Sequence, residues 1–486
     1  MRLTTTDASF LYAESVSGPM HISSVYVLEG ELAHERVLRH FEARIHLVPS
    51  YRRKLAQVPL NIAHPEWVDD PDFDLARHVL AHQVEPGSTL QQGIDAAIEL
   101  NERMLERDRP LWKFWVISGV PGHTLILQMT HHALIDGASG IELTTILYDF
   151  DPKGGKAPPP PNEPWAPAPP PSPAERFSKA LQENLQKLRD FDPYLPVRVA
   201  QNQQTLVRRA LGIMQRFATR PVITAPFNAA MVGPKRRLRH VKTALIEIRD
   251  IRRSLGGTIN DVVLTVVSEA VARYLRSHGE QYEGQYMRIM CPVNVRTEDQ
   301  KGALGNQVSA IFPVLPAWPQ NPATRHGAVC AEIERIKDDQ EAQALTLMQN
   351  SAQEPWPVAL APLQMVGTTF DPTAMGARFP MPVPPAVGGF RPPNFGLNFV
   401  CTNVPGVQVA QYLCGHKVLD TLGVLVLSGN IGFSVTILSY NGSLYFSFIS
   451  EPRLMPDVEL IAEHAAAAYS ELLAAARART DQLKAG

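Results

Sequence analysis

Ten of the sixteen residues at positions 158–173 are proline, including the runs Pro158-Pro159-Pro160-Pro161 and Pro169-Pro170-Pro171. Each proline fixes its own φ and removes a backbone donor, so this stretch can enter neither a helix interior nor a central strand. It must run as an extended, semi-rigid connector. The connector divides the 486-residue chain into a first lobe (1–153), a linker with a largely helical continuation (154–225) and a second lobe (226–486). A chain this long can bury two substantial cores.

Composition narrows the function classes. Hydrophobic content of 45% with 19% charged residues suits a folded soluble protein, and a net charge of −2 gives no reason to expect nucleic acid as a partner. Cys291, Cys330, Cys401 and Cys414 form no Cys-x-x-Cys pair, which fits a reducing, cytoplasmic setting. The opening Met1-Arg2-Leu3-Thr4-Thr5-Thr6-Asp7 lacks the apolar core of a signal peptide. Residues 421–450 are free of charge but broken by Gly, Ser and Asn, and Tyr440-Asn441-Gly442-Ser443 is a hairpin signal. Buried strands are expected there, not a membrane span.

Chemistry concentrates in His131-His132-Ala133-Leu134-Ile135-Asp136-Gly137. Thr124 to Thr130, just upstream, reads as a buried strand, and Ile141 to Leu147, just downstream, reads as a helix. The histidines therefore fall where a strand ends, and strand alternation points them to opposite sides. One can face a reaction channel while the other is held inside. Histidine suits a general base near neutrality. Asp136 can anchor the turn, Gly137 relaxes its backbone, and two satisfied structural histidines are the plainer alternative. A metal site through His132 and Asp136 lacks a third ligand at a diagnostic spacing, and none is expected.

Farther along, an alternating segment from Thr243 to Ile248 opens the second lobe. Thr258-Ile259-Asn260-Asp261 begins a helix that Thr258 caps and Asp261 completes as a capping box. Residues 355–393 form a second proline-rich stretch, and the alanine-rich tail from Asp457 to Leu483 reads as a helix. Lys235-Arg236-Arg237-Leu238-Arg239 could attract phosphates or anionic lipid, though a solvated basic face is the simpler reading. Nothing near Cys401 would activate it as a nucleophile, so it reads as buried filler.

Several segments, in order, resemble the bacterial wax ester synthase/diacylglycerol acyltransferase family. They are Asp7-Ala8-Ser9-Phe10-Leu11 with Pro19-Met20-His21, Arg109-Pro110-Leu111-Trp112, the His-His run, and Asn260-Asp261-Val262-Val263-Leu264. Pro292-Val293-Asn294-Val295-Arg296, Leu304-Gly305-Asn306-Gln307 and Thr402-Asn403-Val404-Pro405-Gly406 follow. Val407 departs from the pattern, where relatives often carry a second proline.

The resemblance implies an α/β fold of two chloramphenicol acetyltransferase-like lobes, each a mixed sheet with helices, with a tunnel at their interface. It implies an acyl-CoA-dependent O-acyltransferase esterifying long-chain alcohols or diacylglycerol, with acyl-CoA as substrate and no cofactor. His132 matches the general base, supported by His131, Asp136 and Gly137, with Arg296 a candidate partner for Asp136. Asn260 would position the alcohol or the oxyanion, or serve as a local cap. Pro110, Leu111, Trp112, Thr402 and Asn403 would line the substrate path, although a buried Trp is more often simply core. The expected setting is cytoplasmic, with peripheral contact to the inner membrane face or lipid inclusions. A condensation-type enzyme using carrier-bound donors and a non-catalytic lipid-binding protein of the same fold are the alternatives.

Overall fold

The structure is a computed structural model that describes residues 1–134, 143–155, 159, 163–190, 192, 194, 198, 201–294, 308–344, 346 and 396–485. Among the described residues, six strands precede the proline-rich connector: β1 (His21–Glu29), β2 (Arg53–Ala56), β3 (Glu66–Asp69), β4 (Val79–Gln83), β5 (Trp112–Val120) and β6 (His123–His131). After it come β7 (Arg237–Ala244), β8 (Tyr286–Asn294), β9 (Val308–Ile311), β10 (Val314–Pro316) and β11 (Phe399–Val404). The series ends with β12 (Tyr412–Leu413), β13 (His416–Val424), β14 (Phe433–Tyr440) and β15 (Ser443–Ser450).

These strands build two mixed sheets, one per lobe. The first runs β12-β13-β1-β6-β5-β4, and the second runs β10-β8-β11-β14-β15-β7 with β9 on β8. A β2–β3 ladder stands apart. The two-lobed α/β expectation is met, but the sheets do not divide at the connector. Strands β12 and β13 come from the 226–486 segment and complete the first sheet, where β13 pairs antiparallel with β1. Strand β13 also packs against β14 and β15, so it joins the lobes. Gly423 permits the approach: a Cβ there would lie 2.4 Å from Thr436 Cγ2.

Each lobe has its own core. Phe41, Trp112, Phe114 and Leu127 are among the fully buried side chains of the first, and Val263, Phe399, Phe433 and Phe446 of the second. Burying a side chain of this size is worth about 1.5–3 kcal/mol, which makes these layers the main source of rigidity beneath the site. Helix Leu90–Asn101 packs on β5 and β6, while Ile259–Ser277 and Val458–Ala485 pack on each other in the second lobe.

Local signals hold where a few neighbours decide the conformation. Thr258 accepts from the Asp261 N–H at 3.2 Å and Asp261 accepts from the Thr258 N–H at 2.7 Å, the expected reciprocal cap. Asn441 and Gly442 both take positive φ and turn β14 into β15. Residues 163–172 form no helix, and helices Pro173–Arg189 and Gln204–Thr219 follow. One alternating segment divides differently. Thr243 and Ala244 end β7, whereas Leu245–Leu255 is a helix that buries Leu245, Ile248 and Ile251. That three-residue spacing marks a helical face, which a six-residue window masks as alternation.

Among the described residues no single helix is long and apolar enough to cross a membrane. The uncharged 421–450 region holds the end of β13 and all of β14 and β15, the strands expected there. Within 355–393, and at Asp136, Gly137, Arg296 and Leu304 to Gln307, the sequence expectations lie outside the described residues.

Candidate active site

Strand β6 carries His131 to its end, and the chain turns immediately after it. His131 pairs across the sheet with His21 of β1. Its N–H donates to Leu111 O at 2.9 Å, and the His132 N–H donates to Met20 O at 2.8 Å. Both histidine backbones are thus clamped by segments distant from them in the chain: Pro110-Leu111-Trp112 and Pro19-Met20-His21.

The two imidazoles have different surroundings, as strand alternation requires. His131 is fully buried. Its Nδ1 accepts the Ala133 N–H at 3.0 Å, so a neutral ring carries its proton on Nε2. That nitrogen faces Glu14 Oε1 at 3.4 Å. His132 is half-buried, with Nδ1 turned inward and its ring stacked on Phe10, centroids 3.9 Å apart and planes 5° from parallel. A stacked ring has few rotamers left, which fixes its aim.

Glu14 is the residue that sequence reasoning missed. Helix Thr5–Ala13, capped by Thr4, carries Phe10, and Glu14 follows it directly. Chain reversal then comes from Ser15 and Gly18, which exchange backbone hydrogen bonds. The Glu14 side chain is wholly buried. Oε1 accepts the Met20 N–H at 3.0 Å, and Oε2 accepts Arg107 Nη2 at 2.9 Å. Burial alone would raise this carboxyl, but His131, the Met20 amide and Arg107 together hold it down to about 2. Glu14 is therefore an anion beneath the histidine pair, and it braces the residue whose carbonyl grips His132. The one local clue was a carboxylate four residues after Phe10, which carries no signal without the fold.

His21 sits beside this group, donating from Nε2 to Asn101 O at 2.8 Å. Burial presses its imidazole down to about 4, against the raising effects of the Asn101 carbonyl and Glu14. It is neutral at neutral pH.

Other sequence candidates fall into place unevenly. Trp112 is fully buried, stacked between Tyr51 and His78, with Nε1 donating to Tyr51 O at 2.8 Å. Pro110 and Leu111 are buried with it. This trio is core, and its contact with the site is the Leu111 carbonyl on His131. Thr402 and Asn403 are half-buried on β11, in parallel register with Thr436 and Ile437 of β14. Gly406 accounts for the glycine after Val404-Pro405, since a Cβ there would lie 2.2 Å from Ser439 O. Beside it, the Val407 carbonyl accepts the Asn441 N–H at 3.0 Å. Asn260 is half-buried on the first turn of its helix, but Thr258 and Asp261 form the cap.

Cys401 is buried and its thiol is pushed up to about 12, as inert filler should be. The Lys235–Arg239 run is no free basic face. Lys235 pairs with Glu102 at 2.9 Å, Arg239 with Asp95 at 2.8 Å, and Arg236 Nη2 donates to Ser17 O and Leu427 O. These cations tie the second lobe to the first.

Family models match most of the chain. Residues 3–263 match the wax ester synthase/diacylglycerol acyltransferase catalytic domain, and residues 304–473 match the WS/DGAT C-terminal domain. The chain belongs to this acyltransferase family. It is 29% identical over 485 residues to a putative diacylglycerol O-acyltransferase of Mycobacterium tuberculosis, covering 97% of this chain and 90% of that one. Identity to the probable diacylglycerol O-acyltransferase tgs1 of the same species is 28% over 490 residues, covering 98% and 96%.

The fold is similar to that of the wax ester synthase/diacylglycerol acyltransferase from Marinobacter aquaeolei VT8, with a TM-score of 0.63 and 19% identity over 98% of this chain and all of that one. It is also similar to the first condensation domain of the calcium-dependent antibiotic synthetase, with a TM-score of 0.59 and 13% identity over 98% and 96%. As a WS/DGAT member the chain carries the expected two-lobed architecture, with the His-His run at the end of a first-lobe strand.

Proposed function

We propose that this acyltransferase forms esters from long-chain acyl-CoA and a long-chain alcohol or diacylglycerol, with His132 as general base. The observation that carries the reading is the contrast between the two histidines. His131 is sealed and committed to Ala133 and Glu14, while His132 is partly exposed and aimed by Phe10 and Met20.

In the proposed step, His132 takes the hydroxyl proton, through Nε2 because Nδ1 is buried. The alcohol oxygen attacks the thioester carbonyl, the C–S bond breaks, and the proton passes to the departing CoA sulfur. Atoms balance without a covalent acyl-enzyme. General-base assistance is worth about 10²–10⁴-fold, so positioning both substrates must supply much of the remaining acceleration. Asp136 and Gly137 belong to this reading as supports of the turn. Asn260, Thr402 and Asn403 are its proposed contacts to substrate, and a tunnel between the lobes is its proposed route.

Purified protein given palmitoyl-CoA with hexadecanol or dioleoylglycerol should release CoA thiol and form ester. His132→Ala should lower the rate by about 10²–10⁴-fold while the fold persists. Full activity in that variant would overturn the assignment. Competition between acyl-CoA and acyl-carrier protein as donors tests the donor class directly.

A further inference from the structure

A small cavity sits where the two lobes meet. Pro19 and His21 at the start of β1, with Asn101 and Glu102 at the end of helix Leu90–Asn101, wall it on one side. Arg236, Ile449 and the residues just past β13 wall it on the other. Its volume is about 10 Å³, room for about one water molecule.

Two of the walls are polar side chains, both more than nine-tenths buried: His21 is 3% exposed and Asn101 7%. His21 Nε2 meets Asn101 O at 2.8 Å, and because a carbonyl can only accept, Nε2 carries the proton. Nδ1 of the neutral ring is then an acceptor, and no protein group donates to it. Asn101 Oδ1 is a second buried acceptor in the same position. Two acceptors cannot satisfy each other, and a buried polar atom left unpaired is costly.

The chemistry of the walls selects the occupant. Paired acceptors repel an anion and call for a group with two hydrogens to give. Arg236 stands against a metal or ammonium ion, since its guanidinium is fixed beside the cavity by the carbonyls of Ser17, Gly233, Lys235 and Leu427. Glu102 does not offset it, being engaged by Lys235 Nζ and the Arg236 N–H, each at 2.9 Å. The size admits nothing much larger than water.

We propose that this cavity is a site for a single water molecule, which donates one hydrogen to His21 Nδ1 and the other to Asn101 Oδ1. The water bolts the start of β1 to the end of helix Leu90–Asn101 at the junction of the lobes. His21 pairs across the sheet with the sealed His131, so the site lies behind the histidine pair. Met20, whose carbonyl holds the His132 N–H, is the residue just before His21, so the bridge steadies one side of that clamp.

A crystal structure of the full chain, at a resolution that shows ordered solvent, tests this. A solvent peak within hydrogen-bond distance of both His21 Nδ1 and Asn101 Oδ1 is expected. His132→Ala should keep the peak, and Asn101→Leu, close in shape but lacking Oδ1, should lose it. Nitrogen NMR of isotope-labelled histidine gives a second readout in solution, with His21 assigned by its missing signal in His21→Asn. In Asn101→Leu its Nδ1 signal should move towards that of an unbonded imidazole acceptor. Clear density without the peak, a peak that survives Asn101→Leu, an unmoved Nδ1 signal, or an Asn101 amide turned to donate directly to His21 would overturn the proposal.

Discussion

Replacing Glu14 by Gln removes one charge from beneath the histidine pair while keeping its shape and an acceptor oxygen. In the folded protein the carboxyl is held near 2 instead of its ordinary 4.5. A depressed acid stabilises the fold at pH values above its unfolded pKa, and the benefit disappears as pH falls through the folded value. That difference corresponds to about 3 kcal/mol at neutral pH. The side chain is wholly buried, so solvent does not screen its charge. At about 2.1 cal/mol/K per residue, a chain of this length unfolding as one unit would lose roughly 3 °C in melting temperature. Urea denaturation of wild type and Glu14→Gln across pH measures it. The gap between the two should be full near neutrality and about half as large near pH 3. Equal stabilities at neutral pH, or a gap that ignores pH, would show that Glu14 is not the charged brace described above.

Three further outcomes follow from the same geometry. His21 is held near 4 in the fold, so the unfolded chain binds the extra proton first, and stability should decline as pH drops from about 6.5 towards 4; His21→Asn should flatten that part of a melting-temperature profile. Trp112→Ala should cost about 3–5 kcal/mol by leaving a hole between Tyr51 and His78, readable by chemical denaturation. Gly423→Ala drives a methyl against Thr436 and should cost about 1–3 kcal/mol; Thr436→Ser in the same chain, lacking the clashing Cγ2, should recover much of the loss in a double-mutant cycle.

What could be read from the sequence was what neighbours in the chain decide. Thr258 and Asp261 are three residues apart and cap one helix between them, so their geometry is legible without the fold. Asn441-Gly442 sets a turn by its own backbone preference, and the prolines from Pro164 to Pro171 keep helix out while Pro173 is tolerated as the first residue of one. The alternation that turns His131 and His132 to different sides is equally local, but which of the two is sealed depends on Glu14 and Phe10. Glu14 was invisible because its partners, His131 and Arg107, meet it only after β1 and β6 have paired. Trp112 shows the same limit. The sequence offered it as lining a substrate path or as core, and only the stacked Tyr51 and His78 rings show it packed as core. The basic run from Lys235 likewise looks unpaired until Glu102 and Asp95 arrive from the other lobe.

Strand β13 has a consequence for how the molecule is born. It leaves the ribosome after more than four hundred residues, yet it lies against β1, among the first strands made. Until then β1 presents a bare row of amide and carbonyl groups, the kind of edge that invites pairing with another chain. A product truncated at the proline-rich connector would keep that edge permanently, whatever the quality of its histidine turn. Closing so long a loop is slow, so the whole interval from the emergence of β1 to that of β13 is the period when this enzyme most needs protection from its own copies.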